Sequence, residues 1–404
     1  MAAALVALAV FGTAVRAAAQ QEKVMHTFSY NSGPFAGVIF DASGNLYGTT
    51  ADGGTHGNGT AYELSPLAGG GWTQKILHNF RHNGTEGYQP YAGLALDAAG
   101  NLYGTTRSGG AYNYGTVFEL TPQVGGTWTE KLLHSFNSNG SDGIFPFSSL
   151  VLDAAGNLYG TTFEGGAYEV GIVFELMPAA EGGWTEKVLY SFDPSVGDGN
   201  NPYAGLTFDT AGNLYGTTVS ERGYSSNGSV FELTPTAGGR WTEKILHYFY
   251  IGGGDGYSPY ARLTFDDAGN LYGVTGLGGT EGGGAVFELT PTTGGSWTEN
   301  VLHNFAFNNI TDGSNPYGQL IVDASGNLFG TTSGGGTSGG GTVFELMPAA
   351  GGTWTEAILH NFNGDGTDGT DPFAGLTRDS AGNLYGTAVE GGAHGGGVVF
   401  EIKP

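Results

Sequence analysis

The sequence predicts an all-β fold: a seven-bladed β-propeller of four-stranded antiparallel blades, closed by an N-terminal strand that completes the last blade. Three observations carry this. Near-copies of D-A-A-G-N-L-Y-G-T-T recur, with the asparagine at Asn45, Asn101, Asn157, Asn213, Asn270, Asn327 and Asn383, and separations of 56 or 57 residues are a structural period. Each period holds four short apolar stretches separated by Gly, Pro, Asn and Asp clusters, with no helical periodicity. Finally, Glu22 to Phe28 matches the fourth stretch of a period and Val398 to Ile402 matches the third, so the two ends complement one another into one blade. Pairing first strand to last removes the edges that an open array would expose.

Taken in order, the chain opens with an apolar run, Ala2 to Val15, followed by Ala17-Ala18-Ala19. A run too short to span a bilayer, ending in a small-residue cleavage site, is a signal peptide. Residues 1–20 are therefore assigned to export and 21–404 to the propeller. One period is clearest from Pro90 to Phe136. Ala92 to Asp97 is the first strand, a short apolar stretch; Ala98-Ala99-Gly100 turns the chain, and Asn101 to Thr106 is the second. A glycine-rich loop, Arg107 to Gly115, leads to the third strand, Thr116 to Thr121; Pro122 to Thr127 turns again and Trp128 to Phe136 is the fourth.

Composition narrows the partners. The formal charge is −24 with 13 basic residues and no basic run, so nucleic acid and anionic membrane surfaces are repelled. Cations, neutral ligands and proteins remain. There is no cysteine, which excludes disulfides, thiolate metal sites and a cysteine nucleophile. The 77 glycines follow no G-X-Y period and punctuate strands.

The pattern D-x-x-G-N-L-Y-G-T-T, then G-T-V-F-E-L-T-P, then G-G-x-W-T-E-K-x-L-H-x-F resembles the tandem repeat called Gloeo/Verruco or GloVer, found in exported bacterial proteins; its first half is similar to NHL- and SBBP-type propeller repeats. The resemblance covers residues 22–404. It implies export and, in some relatives, a C-terminal sorting anchor. This chain ends at Pro404, directly after the closing strand, so a soluble secreted or periplasmic form is expected. The family brings no catalytic residue with it.

The recurrent side chains point to scaffold. Asp41, Asp97, Asp153, Asp209, Asp266, Asp323 and Asp379 open tight turns, and each is expected to bond the backbone two residues on. Calcium is the weak alternative, because the loop lacks the alternating oxygens of a calcium site. Glu119 and Lys131 and their counterparts are expected to pair across the third and fourth strands, worth ~0.2–1 kcal/mol. Six histidines, His26, His78, His134, His247, His303 and His360, share one fourth-strand position with Tyr190; in separate blades they cannot converge on one ion. No metal or other cofactor is expected.

What differs between copies is expected to carry function. The second-to-third and fourth-to-first loops vary, and in a four-strand meander both emerge on one side of the disc. Binding residues concentrate on such loops. The candidates on this face are His56, Tyr88, Arg107, Tyr112, Tyr114, Asp142, Tyr168, Tyr224, Asp255, Asp312 and His394. The acidic members, with Glu86, Asp198 and Asp368, are placed either as D-G turns or as a negative rim around the central channel. No Ser-His-Asp set, H-E-x-x-H or phosphate loop is present. The expected function is a non-enzymatic, exported binding or interaction module for a glycan or protein, expected to be a monomer and to be secreted, periplasmic or at the cell surface. The alternatives are a carbohydrate-active enzyme with two loop carboxylates on the same face, and a structural cell-surface protein.

Overall fold

The computed structural model describes residues 21–180, 182–219, 227–307 and 309–404. They form seven four-stranded antiparallel sheets arranged as blades of a closed ring. The predicted signal peptide, residues 1–20, lies outside the described residues. In blade 2, strand a is Ala95–Leu96, b is Leu102–Thr106, c is Thr116–Pro122 and d is Trp128–Ser135. Blade 7 takes strands a to c from Thr377–Arg378, Leu384–Ala388 and Val398–Lys403, and its strand d is Gln21–Thr27. The closing pairs run from Gln21↔Lys403 to Thr27↔Val398. The remaining blades repeat this order. One 3₁₀ turn, Pro194–Val196, is the single helical element among the described residues.

The repeated motif explains itself in these blades. Asp97 Oδ1 accepts the backbone N–H groups of Ala99 and Asn101, and Oδ2 accepts from Asn101 Nδ2 and Tyr103 Oη. Its acceptor capacity is taken up by its own turn, as the sequence predicts. Of the paired threonines, Thr105 donates to the Ser148 carbonyl of the next blade, while Thr106 and Thr116 share a hydrogen bond between strands b and c. Thr387 makes the same bond to Ala36 across the ring closure. Glycine at position 104 is required because a Cβ would sit 2.5 Å from the Phe118 ring.

Blades pack through aromatic pairs. Phe80 of strand d meets Phe118 of the next strand c edge-on at 5.0 Å, and Phe28 meets Tyr62 at 5.0 Å where the ring closes. These side chains are fully or almost fully buried. Tryptophan at the start of strand d packs on the preceding blade, Trp128 against Tyr47 and Trp184 against Tyr103. Glu119 and Lys131 stand directly opposite in register; Lys131 Nζ instead donates to Gly182 of the next blade, whereas Lys187 lies 3.6 Å from Glu175.

The ladder of strand a is shorter than predicted, two residues instead of six. Upstream of Ala95 the chain leaves its own sheet and runs down the central channel, where inner segments of neighbouring blades crowd each other. A Cβ at Gly205 would lie 2.9 Å from the Ser149 carbonyl.

Candidate functional site

Each inner segment enters the channel through a proline followed by an aromatic residue: Phe35, Tyr91, Phe147, Tyr203, Tyr260, Tyr317 and Phe373. Proline fixes φ and directs the next residue inward at the same depth in every blade. The result is a closed ring of seven aromatic side chains, each touching the next, with centroids 4.9 to 6.0 Å apart. Phe147 with Tyr203 and Tyr317 with Phe373 are stacked. The ring caps a cavity of about 820 Å³ lined by the inner segments, a volume in the range of small-molecule sites.

The backbone around this mouth is fixed twice over. Gln89, Phe145, Asn201, Ser258, Asn315 and Asp371, each two residues before a ring aromatic, adopt φ between 56° and 60°. Positive φ is uncommon for residues other than glycine and needs support from its surroundings. The support is two main-chain bonds: Gln89 N–H donates to Asn58 of the preceding blade, and its carbonyl accepts from Arg107 N–H. Phe145 and Asp371 repeat the arrangement with Tyr114 and Phe163, and with Gly340 and Val389.

The loop face predicted from the sequence exists. Fourth-to-first loops pair with second-to-third loops in small two-stranded sheets, Gly87–Tyr88 with Ser108–Gly109 and Gly143–Ile144 with Glu164–Gly165. The strand a entrances, and hence the aromatic ring, open on that face. The predicted residues distribute unevenly over it. Arg107 reaches the ring, with its guanidinium 5.5 Å from the Phe147 centroid and 5.8 Å from that of Phe145. Tyr114 packs edge-on against Phe145. Tyr88 packs at a tilt against His82 and bonds Asn113 farther out. Tyr112 and Tyr168 are about half exposed on loop tips, and His56 and His394 are exposed. Tyr224 lies outside the described residues.

Asp142, Asp255 and Asp312 do not line the channel. All three are buried at the outer edge, beside the strand d histidine of their own blade: His134 Nε2 is 3.2 Å from Asp142, and His247 Nε2 is 2.8 Å from Asp255. The reading as a rim around the channel is therefore corrected. Their blade position puts them behind strand d, where their carboxylates also accept backbone N–H groups such as Asn137 and Ala306.

A glutamate from the next blade completes each outer cluster. His134, Asp142 and Glu186 bring ligand-type atoms within 4.8 Å of one another, as do His247, Asp255 and Glu299; His303, Asp312 and Glu356; and Glu22, His360 and Asp368. The histidines do not converge on one another, but four of the six, His134, His247, His303 and His360, each meet two carboxylates, which single-repeat reasoning could not see. Burial first, and the neighbouring acid second, push Glu22, Glu130, Glu186, Glu299 and Glu356 up to about 7 and Glu243 to about 8.

The sequence profile of the Gloeobacter/Verrucomicrobia repeat matches residues 11–226 and 208–404. The chain belongs to that family. No curated protein matches this Gloeobacter/Verrucomicrobia repeat chain significantly. Among solved structures, it is similar to PorZ, a surface component of the type-IX secretion system of Porphyromonas gingivalis, with TM-score 0.54 and 14% identity over 93% of this chain and 48% of that one. It is also similar to an ancestral GH74 enzyme, with TM-score 0.58 and 12% identity over 93% and 48%. The chain thus spans about half the length of each, and at these identities the likeness is one of fold.

Proposed function

We propose that this repeat protein is an exported binding propeller without chemistry of its own, and that it takes one end of a glycan into the mouth of the central channel. The observation supporting this is the closed ring of seven aromatic side chains over the cavity. Aromatic faces pack against the C–H faces of sugar rings, and a concave, mostly apolar pocket with a few polar groups is the usual form of a ligand site. Arg107 and Tyr114 extend the mouth; Tyr112, Tyr168, His56 and His394 form an outer rim with weaker claims on the ligand.

Carboxylate placement favours binding over hydrolysis. A glycosidase needs one pair of acids flanking one bond, whereas among the described residues the clustered acids recur around the outer edge, and Asp371 and Glu390, which interact on the loop face, do not line the cavity. The signal-like segment, the family and the fold shared with a surface component support a secreted, periplasmic or cell-surface location. No helix among the described residues is long and apolar enough to cross a membrane.

A glycan array probed with the mature protein tests the proposal, repeated with Tyr91→Ala and Tyr317→Ala and, separately, Tyr112→Ala and Tyr168→Ala. Binding is expected to fall about tenfold or more in the first pair, corresponding to ~1.4 kcal/mol, and to persist in the second. The reverse pattern would return the site to the loop tips.

A further inference from the structure

One level below the aromatic ring, the channel wall is not sevenfold. The residue two after each ring aromatic is glycine in blades 1, 2, 4 and 7, but Ser149 in blade 3, Arg262 in blade 5 and Gln319 in blade 6. Glycine is the default because the inner segments crowd: a Cβ at Gly37 would lie 2.8 Å from the Gly375 carbonyl. Blades 5 and 6 place long polar side chains at that crowded position. They are held by a second exchange, since Thr207 and Thr264 occupy a position that holds Ile39 and Ala95 in blades 1 and 2.

The Thr207 hydroxyl donates to the Leu263 carbonyl at 2.6 Å and accepts Arg262 Nε at 3.0 Å. Thr264 likewise donates to Leu320 and accepts Gln319 Nε2. With its proton already given to a carbonyl, each hydroxyl can only accept, so the two long side chains are pinned in one orientation. The channel therefore carries polar side chains from blades 3, 5 and 6, with the Arg262 chain lying against Gly205 of blade 4, and an open glycine side in blades 7, 1 and 2 opposite.

Arg262 is the one charged side chain among the described residues lining this cavity. Among the described residues no carboxylate forms an ion pair with it, and its two terminal nitrogens have no protein acceptor. Burial holds its guanidinium below the ordinary arginine range. A secluded cation without a counter-ion among the described residues is costly to fold around, particularly in a chain of net charge −24 that has acids to spare. A pinned guanidinium facing free space matches a planar two-oxygen anion.

Resting on the channel-mouth reading above, we infer that the glycan end is acidic, a uronic acid whose carboxylate pairs with Arg262 while its ring lies within the aromatic collar. Gln319 and Ser149 offer an amide and a hydroxyl to the sugar's own hydroxyls, and the bare glycine side leaves room for the ring.

The test is titration calorimetry with trimers of galacturonate, glucuronate and mannuronate, their neutral methyl esters, and an acidic tetrapeptide, on the wild type and on Arg262→Gln. At least one acidic trimer is expected to bind about tenfold or more tightly than its ester. Arg262→Gln is expected to erase that preference while retaining ester binding, and to unfold at the same or a higher temperature, because an unpaired charge has been removed. Equal affinity for acid and ester, a preference that survives Arg262→Gln, or no binding by any trimer would overturn the inference. Selective, Arg262-dependent binding of the peptide would overturn the sugar class. Wild-type affinity in Tyr91→Ala and Tyr317→Ala would instead sink the collar reading, so the two failures are distinguishable.

Discussion

The innermost and outermost strands of each blade repeat equally faithfully, yet they build different things. At the outer edge, each His–Asp–Glu cluster and each Phe–Phe pair joins two neighbouring blades and no more. At the inner edge, seven copies of one aromatic side chain meet around a single axis and make one ring. Repetition far from the axis yields seven separate joints. Close to it, repetition yields one shared site, and one departure such as Arg262 gives that site a direction.

This contrast can be broken at either edge. The largest effect is expected from Phe118→Ala, which empties a fully buried inter-blade contact; a loss of about 3–5 kcal/mol by denaturant unfolding, with unchanged channel binding, would keep the edges independent. Next is pH. The folded-state values near 7 for Glu22, Glu130, Glu186, Glu299 and Glu356, and near 8 for Glu243, exceed the unfolded value of 4.5. The native state therefore binds more protons, and their stabilisation is complete below about 4.5 and lost as pH rises through 7 to 8. Burial lowers His26 and His78, which acts in the opposite sense but through two groups against six. Thermal unfolding should move down by several degrees between pH 5 and 8, and Glu186→Gln should flatten that slope; a melting temperature that rises over this range would contradict it.

Smaller still is Tyr91→Ala, whose partly buried ring should matter about tenfold in affinity and within about 1 kcal/mol in stability; a collapse of the fold would mean the collar is itself a structural joint. Least is Lys75→Ala, removing a partly exposed pair 3.9 Å from Glu63, expected to shift stability by less than about 0.5 kcal/mol in denaturant titrations.

The period, the turns and the closing strand were legible because they are local: the Asp97 turn is written within five residues, and the complement of Glu22–Phe28 to Val398–Ile402 follows from counting. The outer clusters were half legible. The histidine and its aspartate lie eight residues apart and were both singled out, but Glu186 comes from the next blade, and only the ring brings it in. The aromatic collar is not legible from repetition alone, although Pro-Tyr or Pro-Phe recurs in every period. Sameness between copies marks scaffold at Trp128 and Asp97 but not at residues that meet at an axis. Arg262 is marked in the sequence only as one of the repeats that break the glycine position.

The six left-handed residues before proline carry a consequence of another kind. Because Gln89, Phe145, Asn201, Ser258, Asn315 and Asp371 hang on main chain pinned between the preceding blade and their own, exchanging one side chain leaves the other five where they are. Amide, phenyl, hydroxyl and carboxylate already occupy equivalent places beside the collar. The mouth is in this sense a combination lock with independent tumblers: its setting can be changed one blade at a time while the casing stays the same.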